Sequence, residues 1–236
     1  RCSRHLCGIQ HDLLDHRLKF MSRQAPGRRE SRRLERRESI IQTAQEQFLE
    51  NGFSGTSMSQ IAERLGGSKA TLWTYFSSKE DLFRHVVDSA SMELQRELVI
   101  ELDQSDILEE ALLRFCRQLI ESVVSPSALA LRRVVAAEAV RFPEVAQIFF
   151  RNAPARLHSL LAAILDAHMS KGNLRSADPL EAAQVLTSIC HGQCFRRAAF
   201  GLSEEIESHE ILADASLAVD VFLRAYGRPA RTRLHT

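Results

Sequence analysis

Apolar side chains recur at intervals of three and four residues along almost the whole of this 236-residue chain, and nowhere over the length of a strand do they alternate. A period near 3.6 gathers such residues on one face of an α-helix, whereas a half-buried strand needs a period of two. The chain is therefore expected to be all-α. Ile40, Ile41, Ala44, Phe48 and Leu49 share one helical face, and Asn51-Gly52 offers a stop. Ser57 with Gln60 has the form of a capping box ahead of Met58, Ile61, Ala62 and Leu65, and Gly66-Gly67 ends that short helix. Ser68 can cap a third short helix, from Lys69 to Tyr75, with Leu72 and Phe76 inward. Ser77 and Ser78, each three residues ahead of an acidic side chain, start a long fourth helix whose stripe runs from Leu82 and Phe83 to Leu94 and Leu98.

Further helices follow after Asp103, with breaks at Ser125-Pro126, Phe142-Pro143, Asn152-Ala153-Pro154 and Gly172-Asn173. Asp178-Pro179 supplies a cap with proline at the first helical position, and the helix behind it is expected to run to about Phe200. That segment is apolar on more than one side. The final helix carries Ile211, Ala215, Ala218, Val219, Phe222 and Tyr226, and Gly227-Arg228-Pro229 ends it.

At 44% hydrophobic and 26% charged residues, the chain can bury a sizeable core. No apolar stretch approaches the roughly 18–20 residues of a membrane span, so a membrane protein is not expected. Five cysteines, at 2, 7, 116, 190 and 194, make no disulfide framework in a chain of this size, which fits a reducing, cytoplasmic setting. Residues 1–20 lack the apolar core of a signal peptide, and Met21 is the first methionine. They are expected to be an extension upstream of the native start.

A formal charge of +1 hides an asymmetry. Residues 1–84 hold 15 Lys and Arg against 10 Asp and Glu, and residues 85–236 hold 16 against 20. The basic end is the candidate for a polyanion partner. Arg23, Arg28, Arg29, Arg32, Arg33, Arg36 and Arg37 crowd into fifteen residues, either as a phosphate-seeking arm or as a solvated tail.

Residues 57–76 have the size and turn chemistry of a helix-turn-helix: two short helices joined by Leu65-Gly66-Gly67-Ser68. Small and polar side chains, Lys69, Ala70, Thr71 and Thr74, occupy the outer face of the second helix, where base edges would be read. Free N–H groups after Thr56 and Ser57, and the hydroxyl of Tyr75, suit phosphate oxygens. Lys79 opposes the dipole of its helix and would become favourable beside a bound phosphate.

The run Ile40-Ile41-Gln42-Thr43-Ala44, Phe48, Gly52-Phe53, Thr56-Ser57-Met58, Ile61-Ala62, Ser68 to Phe76 and Ser78 to Phe83 closely resembles the DNA-binding domain of TetR-type transcriptional regulators. Several fixed spacings over about 45 residues carry the likeness. It implies phosphate contacts at Thr56 or Ser57, Tyr75 and Lys79. It implies base reading at Lys69, Ala70, Thr71 and Thr74, with Trp73 where the family usually holds an aromatic; Trp73 either lies beside the sugar-phosphate edge or a thymine methyl or packs against the first helix. Gly67 and Ala70 depart from the commonest valine and glycine there. Ala128 to Val134, Glu138 to Glu144 and Phe222 to Gly227 resemble the AefR-like C-terminal domain of the same family. Regulators of that kind respond to small, often hydrophobic molecules.

The resemblance divides the chain into a basic tail (1–30), a helix-turn-helix domain (31–82), a ligand-binding and dimerisation domain (83–228) and a short tail (229–236). Candidates to line an effector pocket are Phe115, Leu119, Leu131, Val134, Val135, Glu138, Phe142, Phe149, Phe150, His191 and Phe195, although aromatics at helical spacing fill the core of any bundle. Glu138 interrupts an apolar run and is either a pocket group or a partner for Arg141 or Arg133. Cys190, His191 and Cys194 lie together but lack a fourth ligand at metal spacing, so buried packing is expected, with no metal and no cofactor. No nucleophile elbow, zinc helix or phosphate-cradling glycine loop is present, so catalysis is not expected. The expected function is a homodimeric repressor on a palindromic double-stranded DNA operator, released by a small-molecule effector. Two other functions stay open: DNA binding without small-molecule input, and an all-helical enzyme.

Overall fold

The computed structural model describes residues 27–103, 107–202 and 205–228, with the side chains of 93–103 outside that set. The tails at 1–26 and 229–236, Arg23 among them, lie outside the described residues, as do the side chains of Leu94 and Leu98. Eleven helices and no strand are present among the described residues: α1 (Arg28–Gly55), α2 (Met58–Arg64), α3 (Lys69–Trp73), α4 (Lys79–Asp103), α5 (Leu108–Val123), α6 (Pro126–Glu138), α7 (Pro143–Asn152), α8 (Pro154–Ser170), α9 (Pro179–Ile189), α10 (Gln193–Ala199) and α11 (Ser208–Tyr226). Contacts divide the chain into two units, the first ending at Ile40. In the first unit, Gly27 starts the helix by accepting the amides of Glu30 and Ser31, and Arg28, Arg29, Arg32 and Arg33 are exposed along it.

In the second unit the expected stop at Asn51-Gly52 is a kink. Gly52 has φ 73° and ψ 173°, a conformation open essentially to glycine alone, and the helix resumes for one more turn. Phe48, Phe53 and Phe83 pack there with ring centroids 5.2–5.7 Å apart. Ile61, Leu72, Phe76 and Leu82 are buried alongside. The helix starts follow the local chemistry. Ser57 and Gln60 form the complete capping box, Ser68 accepts the amide of Thr71, and Asp178 accepts those of Leu180 and Glu181. Ser125 caps α6 through the amide of Ala128, and Pro126, Pro143 and Pro154 sit in first turns where their missing N–H costs nothing.

The larger core is built by α5, α8, α9 and α11 around Phe115, Leu119, Leu161, Leu186 and Phe222. The helix expected to run from Pro179 to about Phe200 is instead two, α9 and α10, broken at Cys190-His191-Gly192. The break has a tertiary cause. Asp214 of α11 accepts the amide of Cys194 at 2.8 Å, and its carboxylate lies where a Cβ on Gly192 would be, 2.8 Å away. An interhelical carboxylate thus caps α10, and only glycine leaves room for it.

Candidate DNA interface and effector cavity

The outer face of α3 is open. Ser68, Lys69, Ala70, Thr71 and Thr74 are exposed, Trp73 is 45% exposed, and Leu72 alone of the helix is buried, clamping it against the core. Tyr75 is half-buried beyond the helix. Arg64 of α2 bridges to Glu46 and Glu50 of α1, which fixes how the α2–α3 pair is held. These contacts are exposed, so they orient more than they stabilise.

Two residues expected at phosphates are turned elsewhere. Thr56 is buried, and its hydroxyl donates to the carbonyls of Gln47 and Gly52 at 2.9 and 2.8 Å. Ser57, its exposed neighbour, is the one facing outward. Lys79 donates its ammonium to the carbonyls of Phe53 (2.8 Å) and Thr56 (3.1 Å) and lies 4.2 Å from the Phe53 ring centre. A lysine that opposes its own helix dipole is accommodated here by the carbonyls that close the α1–α2 turn.

Glu138 is not among the residues lining the cavity, and its main partner is neither Arg141 nor Arg133 but Ser54. At the last turn of α6, its carboxylate accepts both the amide and the hydroxyl of Ser54, at 2.8 and 2.7 Å. These bonds are the main reason its pKa lies below the usual carboxylate value, with smaller help from Arg141 and Lys79. Phe142 packs on Phe53 at 5.7 Å. The end of α6 is therefore bolted to the kinked end of α1.

Further along α6 lies a cavity of about 150 Å³, walled by α1, α4, α5, α6, α7, α8 and α9. Leu119, Leu131, Phe149 and His191 of the expected residues line it. Phe115 and Val135 are buried away from it, Val134 is half-buried outside it, and Phe150 is 60% exposed. Phe195 stands behind the lining, edge-on to His191 at 4.5 Å. Apolar lining comes also from Val87, Val123 and Leu157.

Of the polar groups of the cavity, His191 was anticipated and the others were not. Arg132 interrupts an apolar run as Glu138 does, and that interruption was the available signal. His158 gave none, because a lone histidine near a helix start is unremarkable. His158 Nε2 and the Thr187 hydroxyl are hydrogen-bonded at 2.8 Å, and that hydroxyl also lies 3.1 Å from the carbonyls of Ala183 and Gln184. His191 donates from Nδ1 to the Thr187 carbonyl at 2.8 Å, which leaves Nε2 as acceptor for Arg132 at 3.5 Å. Burial lowers the pKa of both histidines, and at His191 the Arg132 charge lowers it further. Burial likewise lowers that of Arg132.

The thiols are sequestered. Cys116, Cys190 and Cys194 are buried, and the Cys190 sulfur beside it, together with burial, pushes the Cys116 thiol up. Burial, then Asp214, raises that of Cys194 to about 12. Among the described residues, no three His, Cys, Asp or Glu side chains are grouped to hold a metal ion, and no helix is long and apolar enough to cross a membrane.

Comparison with known proteins places this geometry in a family. The tetR-family signature of bacterial regulatory proteins matches residues 40–86, and that of the AefR-like transcriptional repressor C-terminal domain matches residues 110–228. The HTH-type transcriptional regulator HbdR of Aromatoleum sp. (strain CIB) is 23% identical over 208 residues, 85% of this chain and 86% of that protein. A TetR-family regulator from Mesorhizobium loti MAFF303099 superimposes with a TM-score of 0.72 at 28% identity, covering 82% of this chain and 98% of its own. The flavonoid-responsive regulator FrrA gives the same TM-score and coverage at 34% identity. From its helix-turn-helix through to the end of its last helix, the chain belongs to the TetR family of transcriptional regulators.

Proposed function

We propose that this regulator is a homodimeric, ligand-responsive repressor that leaves a two-fold operator when a small amphipathic molecule fills its cavity. One observation carries the ligand response. The cavity is walled by Gln45 of α1 and by Val87, Ala90 and Ser91 of α4, and it shares α6 with the bolt to Ser54. Arg132 and Glu138 are six residues apart, about 9 Å along that helix. An occupant that shifts α4 or α6 therefore bears directly on the segment that carries α2 and α3. The responsiveness to a small molecule of FrrA, a relative at 34% identity, supports the same reading.

In this reading residues 31–82 are the DNA-binding domain and residues 83–228 the sensing and dimerisation domain. Ser57 and Tyr75 meet phosphates, and Lys69, Ala70, Thr71 and Thr74 face base edges, with Trp73 at their border and Ser68 ordering the first turn. Dimerisation is supported by apolar residues left on the surface of the last helices, Leu180 of α9, Leu212, Leu217 and Val221 of α11, and Phe200 and Leu202 after α10. A two-fold pair would set its α3 helices about 34–36 Å apart, one turn of the duplex. The protein acts by binding rather than catalysis, in the cytoplasm where its DNA lies. The test is selection of genomic DNA by the purified protein at physiological salt. Enrichment of a palindrome released by a small molecule is the expected result, and absence of any enriched two-fold site overturns the reading.

A further inference from the structure

Among the described residues, Arg132 is the only charged side chain in the wall of the cavity, and no Asp or Glu lines it. Among the described residues no carboxylate lies within ion-pairing distance of this guanidinium. Its one hydrogen bond among them is the long one, 3.5 Å, to Nε2 of His191. Otherwise it meets ring faces, with centroids at 5.1 Å for Phe195 and 5.8 Å for Phe149. A guanidinium carries five N–H donors in a planar fork, and a half-buried one is ordinarily paired. Here the aromatic rings and the fixed His191 tautomer hold the fork in place and leave most of its donors unmatched.

We propose that the effector is an amphipathic carboxylate whose carboxyl group pairs with Arg132 and whose apolar body lies among Leu119, Leu131, Leu157 and Phe149. The proposal rests on the reading of this cavity as the effector site and adds the charge of what enters it. A carboxylate accepts two parallel N–H bonds from the guanidinium, a pairing stronger than either neutral alternative. A volume of about 150 Å³ is of the order that accepts a single benzene ring, so the body is small. Burial disfavours protonation of both histidines, and at His191 the Arg132 charge does so further, so the positive charge of the site is that of Arg132 and it repels cations. Organic ammonium compounds are therefore excluded by the same residue that selects acids.

The test uses the full chain with benzoate, 3-phenylpropanoate and octanoate, each beside its neutral amide, and with benzylamine as the cation. Thermal midpoint and calorimetric affinity are the readouts, because a ligand that binds only the folded state raises the midpoint in proportion to its affinity. At least one acid is expected to raise the midpoint and to bind roughly tenfold to hundredfold more tightly than its amide. Benzylamine is expected to do nothing. Arg132→Gln should abolish the preference for acid over amide, and Arg132→Lys, which keeps the charge without the fork, should retain part of it. The proposal is overturned if no acid binds, if acid and amide bind alike, or if Arg132→Gln keeps the preference. Operator binding, measured in parallel, separates this from the reading beneath it. Acids that bind without releasing operator leave the anion site standing and remove the ligand response. Neutral compounds that release operator while acids fail do the opposite.

Discussion

Glu138 illustrates how a single side chain is assigned its role by a partner 84 residues away. Burying a carboxylate costs free energy unless it is hydrogen-bonded, and both donors of Ser54 supply that bonding. Glu138→Ala leaves the Ser54 amide without its acceptor and should cost about 1–3 kcal/mol, whereas Glu138→Gln keeps an acceptor and should cost less. Urea midpoints at unchanged m-value measure both. Because the Glu138 pKa is lowered on folding, its contribution is full at neutral pH and is lost as pH falls below the ordinary carboxylate range. The same sign holds for His158 and His191, whose burial lowers their pKa values. Protonation favours the unfolded chain, so stability should be full above about pH 6.5, the unfolded value, and fall on acidification from there. His158→Asn should flatten that part of the profile, as read by thermal midpoints between pH 7.5 and 5.5.

Among the helices, the proposed DNA contacts of α3 and the carbonyl contacts of Lys79 at the start of α4 lead to different expectations. Lys69→Ala and Thr71→Val should change the preferred bases, while Tyr75→Phe should weaken all sequences alike. Binding to a panel of operator variants distinguishes the two. Lys79→Met should lower stability without any DNA present by about 1–3 kcal/mol, read as a lower urea midpoint, because its ammonium closes the α1–α2 turn. At the other end of the chain, Leu217 and Val221 lie one turn apart on the outer face of α11, 58% and 40% exposed. Replacing both with Glu should halve the mass seen in sedimentation while leaving the helical spectrum unchanged.

For the molecule as a whole, the cavity, the α6 helix and the Ser54 contact form one connected set, which makes coupling measurable from both sides. If an effector weakens operator binding by some factor, operator must weaken effector binding by the same factor, typically 5- to 150-fold. Titrating effector with and without operator checks this, and unequal factors would mean that the two ligands do not share one equilibrium. The helical class, the helix-turn-helix and most helix starts were legible in the sequence because they rest on neighbours within four residues. Ser57 with Gln60, Ser68 with Thr71 and Asp178 with Pro179 are of that kind. The break at Gly192 was not, since its cause is Asp214 on another helix. Nor were the inward turn of Thr56 and Lys79 or the destination of Glu138, for the carbonyls and amides they meet are set by how α1 kinks and how α6 docks. Local periodicity and capping chemistry determined which segments are helices and where the helix-turn-helix lies. Only tertiary packing decided which polar side chains line a cavity and which become bolts, because a buried donor or acceptor takes its partner from whatever the fold brings within 3 Å.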